Sequence, residues 1–131
     1  MDHGKLIKKA LEAREYSYSP YSHFKVGAAL LCQDGAVYTG CNIENRAYGP
    51  TNCAERTAFF KAVSEGKREF SAIAIVGGDD GADKLPWCYP CGVCRQVMAE
   101  FCGGEEFKII CARSADEYRI FTLNELLPEM F

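Results

Sequence analysis

Two short segments hold most of the reactive side chains in this chain: Cys53-Ala-Glu55-Arg56, and further along Pro90-Cys91-Gly-Val-Cys94-Arg95. Three cysteines at these spacings suit Zn²⁺. A structural zinc usually closes its tetrahedron with four protein ligands, whereas a catalytic zinc has three and leaves the last position to water. Here the count is three, with the carboxylate of Glu55 two residues beyond the first sulfur. Three thiolates give the ion a net negative charge and weaken it as a Lewis acid. Arg56 and Arg95, each beside a cysteine segment, are placed to donate hydrogen bonds to the sulfurs and offset that charge. Glu55 admits two readings. Asn52-x-x-Glu55 fits a capping box, in which the glutamate only returns a hydrogen bond to the helix start. Next to a three-ligand zinc it becomes a general base for water. Cys88, just upstream of Cys91, is either an incidental buried cysteine or a fourth ligand, and as a ligand it would exclude water and end catalysis.

Helices must carry these groups. Asn52 precedes the periodic run Ala54, Ala58, Phe59, Ala62, Val63, and Gly66 follows it, so a helix is expected over about 53–65 with Asn52 as its cap. Val93, Val97 and Phe101 recur before Gly103-Gly104, and Pro90 stops any helical continuation upstream, placing Cys91 and Cys94 in the first turn of a second helix. Thiolates are favoured at both helix starts, where free N–H groups and the positive end of the macrodipole lower cysteine pKa.

The remaining elements follow from periodicity. Leu6, Ile7, Ala10 and Leu11 make an amphipathic helix over about 4–15. Asp34-Gly35 joins two extended runs as a hairpin. On the first, Phe24, Val26, Ala28 and Leu30 share a face; on the second, Val37, Thr39, Cys41 and Ile43 share one face while Asn42 and Glu44 share the other. Ala72 to Val76 is continuously apolar, as in a strand covered on both sides. A polar loop is expected over Gly77 to Lys84, then a closing hairpin of Phe107–Cys111 with Tyr118–Phe121, and a last helical turn capped by Thr122-x-x-Glu125. This order predicts an α/β fold, a mixed five-stranded sheet sandwiched by helices.

Composition sets outer limits. With 131 residues the chain is long enough for one domain, residues 1–131, with its own core. Met1 to Lys9 is dominated by charge and no apolar run approaches a membrane span, so a soluble, cytoplasmic protein without membrane attachment is expected. Eight cysteines in such a chain fit a reducing compartment better than a secreted disulfide scaffold. A net charge of −3 with no clustered basic face argues for a small neutral substrate and against nucleic acid as partner. Cysteine-protease chemistry would need a histidine partner, and only His3 and His23 are present.

Six blocks, in order, carry a resemblance over nearly the whole chain: Ser19-Pro-Tyr-Ser-x-Phe24-x-Val-Gly-Ala-Ala-Leu30, Gly40-Cys-Asn42-Ile-Glu44-Asn45, Tyr48-Gly, Cys53-Ala-Glu-Arg-Thr-Ala58, Pro90-Cys-Gly-x-Cys-Arg-Gln96 and Glu125-Leu-Leu-Pro128. Together they resemble the short, homotetrameric, zinc-dependent cytidine deaminases, within the wider class of zinc deaminases. The resemblance implies a three-layer α/β/α sandwich, one zinc per chain on Cys53, Cys91 and Cys94, and hydrolysis of cytidine and deoxycytidine to uridine and deoxyuridine with release of ammonia, a pyrimidine-salvage reaction. It implies Glu55 as the proton shuttle, with Arg56 and Arg95 around the sulfurs. Asn42 and Glu44 would hold the ribose, Phe24 would contact the base, and the backbone of Ala54 would hydrogen-bond to it. Tyr48 and Phe131 would reach the sites of neighbouring subunits. Without the motif, Asn42 and Glu44 read first as a solvated strand end. Arg46 stands where members commonly have a small residue, near the expected sugar edge. Rival readings are a related deaminase acting on blasticidin or a cytidine nucleotide, and a non-catalytic protein whose cysteines form a structural zinc site with Cys88.

Overall fold

Nine elements follow one another in the computed structural model, which describes residues 1–130: α1 (His3–Arg14), β1 (Phe24–Cys32), β2 (Val37–Cys41), α2 (Ala54–Ser64), β3 (Phe70–Asp79), α3 (Gly92–Phe101), β4 (Lys108–Ala112), β5 (Tyr118–Thr122) and α4 (Leu123–Leu126). Phe131 lies outside the described residues. The strands form one mixed sheet in the order β2-β1-β3-β4-β5; β3 and β4 run parallel and the other neighbours antiparallel. The expected order of elements and the five-stranded sheet are therefore present.

β3 is the middle strand because its side chains are apolar on both faces. Ala72, Ala74 and Val76 pack with Leu6, Ile7 and Ala10 of α1, while Ile73 and Ile75 join Ala58, Phe59, Met98 and Leu123 of the opposite layer. Small residues on the α1 side let that helix lie close: a Cβ at Gly27 would stand 2.0 Å from the Ala10 carbonyl oxygen. On the other side a phenylalanine cluster fills the core, Phe59 meeting the rings of Phe70, Phe101 and Phe107 at 5.1 to 6.2 Å. The result is a three-layer α/β/α sandwich.

Local signals act largely as the sequence suggests. The side chain of Asp2 caps α1 by accepting from the Lys5 N–H at 2.9 Å. Gly35 supplies the left-handed turn between β1 and β2, with φ +93°. Thr122 and Glu125 form a complete capping box on α4. Two expectations need correction. Gly77 and Gly78 belong to β3 and not to a loop, pairing with Val26 and Lys25. They are bare so that the segment leading to α3 can lie on the strand: a Cβ would meet Cys88 Sγ at 2.7 Å from Gly77, and Leu85 Cδ2 at the same distance from Gly78. The second run of the hairpin also ends sooner, at Cys41, with Ile43 continuing only as bridges to Tyr18 and Asn52.

Gly40 sets the position of the site. Its missing side chain admits the first turn of α2, since a Cβ there would lie 2.4 Å from the Ala54 carbonyl oxygen and 2.6 Å from the Ala58 nitrogen. Those contacts are backbone and cannot swing aside. Gly40→Ala is expected to lower unfolding free energy by about 1–3 kcal/mol, the usual penalty of overpacking, and to weaken zinc retention by moving Cys53; denaturant unfolding and metal analysis check both.

Candidate active site

Cys53 is the N-cap of α2 and Cys91 the N-cap of α3, and neither thiol is used as a cap. Cys94 lies one turn into α3 and is 1% exposed. Two helix starts on one face of the sheet thus bring three sulfurs together. Cys53 Sγ is 3.7 Å from Cys91 Sγ, which is 3.5 Å from Cys94 Sγ, and all three lie within 4.8 Å of one another. Zinc–sulfur bonds of about 2.3 Å in a tetrahedron demand sulfur separations of about 3.8 Å. The three thiols therefore fit zinc with little movement. Among the described residues, Cys88 is not part of this group, and no cysteine is in a disulfide.

Electrostatics prepare the sulfurs for a cation. Cys53 is pulled down to about 5 by a hydrogen bond from the Cys94 thiol, helped by the guanidinium of Arg56, whose Nη2 donates to Cys53 Sγ at 3.2 Å. The partner thiol of Cys94 is correspondingly held protonated by the bond it gives to Cys53. The guanidinium of Arg56 is directed at Cys53 and Cys94, while its buried Nε has no partner. Arg56→Ala is expected to weaken zinc binding 10- to 100-fold, as loss of a hydrogen bond to a metal ligand commonly does; competition with a chromogenic chelator measures it.

Arg95, expected beside the sulfurs, is a correction. Its Nε donates to the Pro90 carbonyl at 2.7 Å and its Nη1 to the Leu126 carbonyl at 2.6 Å. It ties the segment before Cys91 to the end of α4, and so acts on the loop rather than on the metal ligands.

Asn52 is a second correction. The cap of α2 is Cys53, and Asn52 lies one residue outside the helix, its backbone paired with Ile43 by two hydrogen bonds of 2.9 Å. Its side chain donates instead to Thr57 Oγ1. The capping-box role for Glu55 falls with it. Glu55 is 4% exposed, and burial, aided by the charge on Cys53, pushes its carboxyl up to about 7. A carboxyl so poised can take and give a proton near neutral pH. Burial pushes the Cys88 thiol up to about 12, leaving it a neutral wall.

A cleft of about 170 Å³ opens over this cluster, lined by Cys53, Ala54, Glu55, Cys88, Tyr89 and Cys91 on one side and by Val26, Asn42, Glu44, Thr51 and Asn52 on the other. Asn42 extends the sheet with its side chain, its Oδ1 accepting from the Val26 N–H at 2.9 Å and from the Ser17 hydroxyl, and its Nδ2 donating to the Phe24 carbonyl at 2.8 Å. That pattern fixes the amide orientation and leaves one N–H free. Glu44 accepts from the Ser22 hydroxyl and from the N–H groups of Tyr21 and Ser22 at 3.0 and 3.2 Å, which holds its carboxyl below the usual range. Both polar groups are thus fixed before any ligand arrives.

The structure gathers Asn42, Glu44, Cys53, Ala54, Glu55 and Cys91 around one cleft, with Cys94 beneath it. Phe24 is not in the lining; its ring sits against Gly77 and the adjacent Cys88. Tyr48 stands outside, 98% exposed, beside Glu44 in a second depression of about 270 Å³. Sequence reasoning missed Ser17 and Ser22, which hold the polar pair, and Tyr89, whose only sequence signal was its place before Pro90-Cys91. The family model for the cytidine and deoxycytidylate deaminase zinc-binding region matches residues 1–111. The chain belongs to this deaminase family. It is 52% identical to the cytidine deaminase of Sporosarcina psychrophila, covering 100% of this chain and 92% of that protein, and 53% identical to the cytidine deaminase of Halalkalibacterium halodurans, covering 100% and 95%. Its fold superposes on the crystal structure of the cytidine deaminase from Burkholderia pseudomallei with a TM-score of 0.89, at 47% identity and full coverage of both chains. Like other members of a zinc deaminase family, it is a zinc-binding enzyme, and Cys53, Cys91 and Cys94 are the thiols placed to hold the ion.

Proposed function

We propose that this deaminase converts cytidine and deoxycytidine to uridine and deoxyuridine, with water consumed and ammonia released. The observation that carries the reading is the buried carboxyl of Glu55 in the wall of a cleft next to three thiols spaced for one zinc. Zinc held there supplies the Lewis acidity that makes a water nucleophilic near neutral pH. Glu55 accepts the proton of that water and delivers it to N3 of the base, and then carries a second proton to the departing amino group. Oxygen joins C4, the C4–N bond breaks, and ammonia leaves. Arg56 keeps the thiolates charged and Arg95 keeps the segment before Cys91 in place. The backbone of Ala54, in the same wall, faces the base, and Phe24 packs with Cys88 against Gly77 at the edge of that wall.

Asn42 and Glu44 supply what a ribose requires: one free amide N–H and one ionised carboxylate, fixed side by side. A cleft of about 170 Å³ suits a pyrimidine ring and leaves the sugar in the more open depression around Tyr21, Tyr48 and Thr51. The whole chain, residues 1–131, acts in this reading as one catalytic domain in a homotetramer with shared sites, in the cytoplasm, salvaging pyrimidine nucleosides. The bare ring of Tyr48 and the exposed rings of Tyr16, Tyr18 and Tyr21 are the groups such neighbours would cover. No helix among the described residues is long and apolar enough to cross a membrane.

The test compares zinc-loaded protein on cytidine, deoxycytidine, deoxycytidylate and blasticidin. Turnover of the two nucleosides at least tenfold more efficient than that of the others supports the reading. Preference for the 5′-phosphate would contradict it and direct attention to Arg46, the exposed cation near the sugar edge.

A further inference from the structure

The segment between Gly78 and α3 carries an aromatic in the cleft that neither the metal site nor the sugar pair accounts for. Tyr89 lines the cleft between Cys88 and Cys91 and is still 39% exposed, so one part of its surface is open to whatever enters. Its orientation is fixed from behind at several points. The ring meets Phe121 edge to face, with centroids 5.9 Å apart and planes at 74°. Its hydroxyl accepts from Arg119 Nη1 at 2.6 Å, and the Arg119 guanidinium lies 4.0 Å over the ring of Trp87. On the backbone side the next residue is a buried proline whose carbonyl is held by Arg95. An exposed tyrosine is ordinarily free to turn; this one is held by Phe121 and Arg119 of β5, and the Arg119 guanidinium is itself steadied on the ring of Trp87.

We propose that Tyr89 is a substrate-contacting residue of the deaminase, forming a rigid aromatic wall against the bound pyrimidine nucleoside, and that Arg119 is its positioning residue. The inference rests on the assignment of the cleft to pyrimidine nucleosides. A clamped ring loses no side-chain freedom when the ligand arrives, so its contact area is available at low entropic cost. The contact involves no charge that changes during the reaction, and it therefore acts alike on bound substrate and on the transition state. Its loss appears in KM and leaves kcat nearly unchanged.

Three variants, each with its zinc content measured, test this on cytidine. Tyr89→Ala is expected to raise KM about tenfold with kcat within about twofold of wild type, the scale of one lost aromatic contact. Tyr89→Phe keeps the ring and its contact with Phe121 but gives up the bond to Arg119, and raises KM no more than Arg119→Met does. Arg119→Met leaves Tyr89 in the chain but frees it, and raises KM severalfold; because it alters only an exposed strand position, it remains informative if Tyr89→Ala folds poorly. KM within twofold of wild type in both Tyr89→Ala and Arg119→Met overturns the proposal while the deaminase reading stands. A loss confined to kcat and zinc content also overturns it, by marking Tyr89 as a support of the Cys91 loop. Wild-type protein without activity on cytidine would remove the deaminase reading itself, and this inference with it.

Discussion

Glu55→Gln is expected to cut ammonia release from cytidine by roughly 10³-fold, within the range for a lost general acid–base group, while zinc content stays at one per chain. The amide matches the carboxyl in size and preserves packing at a site 4% exposed to solvent. What it removes is the ability to hold a proton and pass it on. Three observations make the effect one on chemistry and not on folding. The side chain does not cap α2, whose cap is Cys53. It lines the cleft beside Cys53 and Cys91. Its burial raises its proton affinity into the neutral range, up to about 7, which no surface helix glutamate would require. A helix-capping role predicts the reverse pattern, with turnover kept and a loss of about 1 kcal/mol in stability. Steady-state kinetics, metal analysis and an unfolding curve on the same preparation separate the two.

Removing the metal is expected to have the second large effect, on stability as well as activity. The starts of α2 and α3 meet at the sulfur cluster, where among the described residues no disulfide joins them and the sulfurs touch one another and Arg56. Binding energy at such a site adds to folding energy. With free zinc at about a thousand times its dissociation constant the gain is about 4 kcal/mol, which in a domain of this size amounts to roughly 10 °C or more in Tm. Chelation is therefore expected to abolish turnover and lower Tm by that amount, and added zinc to restore both. Cys94→Ala imitates the stripped state irreversibly. Zinc affinity also falls with falling pH, because Cys94 is held protonated by its bond to Cys53 and must release that proton to bind. Differential scanning calorimetry with and without chelator reads the stability change directly.

Much of this was legible in the sequence because the signals are local. Asp34-Gly35 set the hairpin, the apolar run from Ala72 to Val76 gave the central strand, and Gly66 and Pro90 bounded the two helices that deliver the sulfurs. The spacing of Cys53, Cys91 and Cys94 announced a three-ligand site before any geometry was known. The misreadings concern groups whose roles are decided by distant parts of the chain. Asn52 looks like a cap by type, yet its backbone bridges to Ile43 one residue outside the helix and the cap position falls to Cys53. Arg95 looks equivalent to Arg56, but the carbonyl of Leu126, presented by the last helix, captures its guanidinium. Gly77 and Gly78 resemble a loop until Cys88 and Leu85 are seen packed against them. Tyr89 is set by Arg119 and Phe121 on an edge strand, a relation that has no period in sequence. Local propensity and pattern thus placed the elements, while the side-chain bonds between them required the assembled fold.

The most direct test of the whole account is ammonia release from cytidine by protein whose zinc is counted before, during and after chelation. Steady turnover is expected at one zinc per chain, none after stripping, and recovery in proportion to zinc returned. A protein holding one zinc per chain that releases no ammonia from cytidine, or one that works equally well without metal, would contradict it.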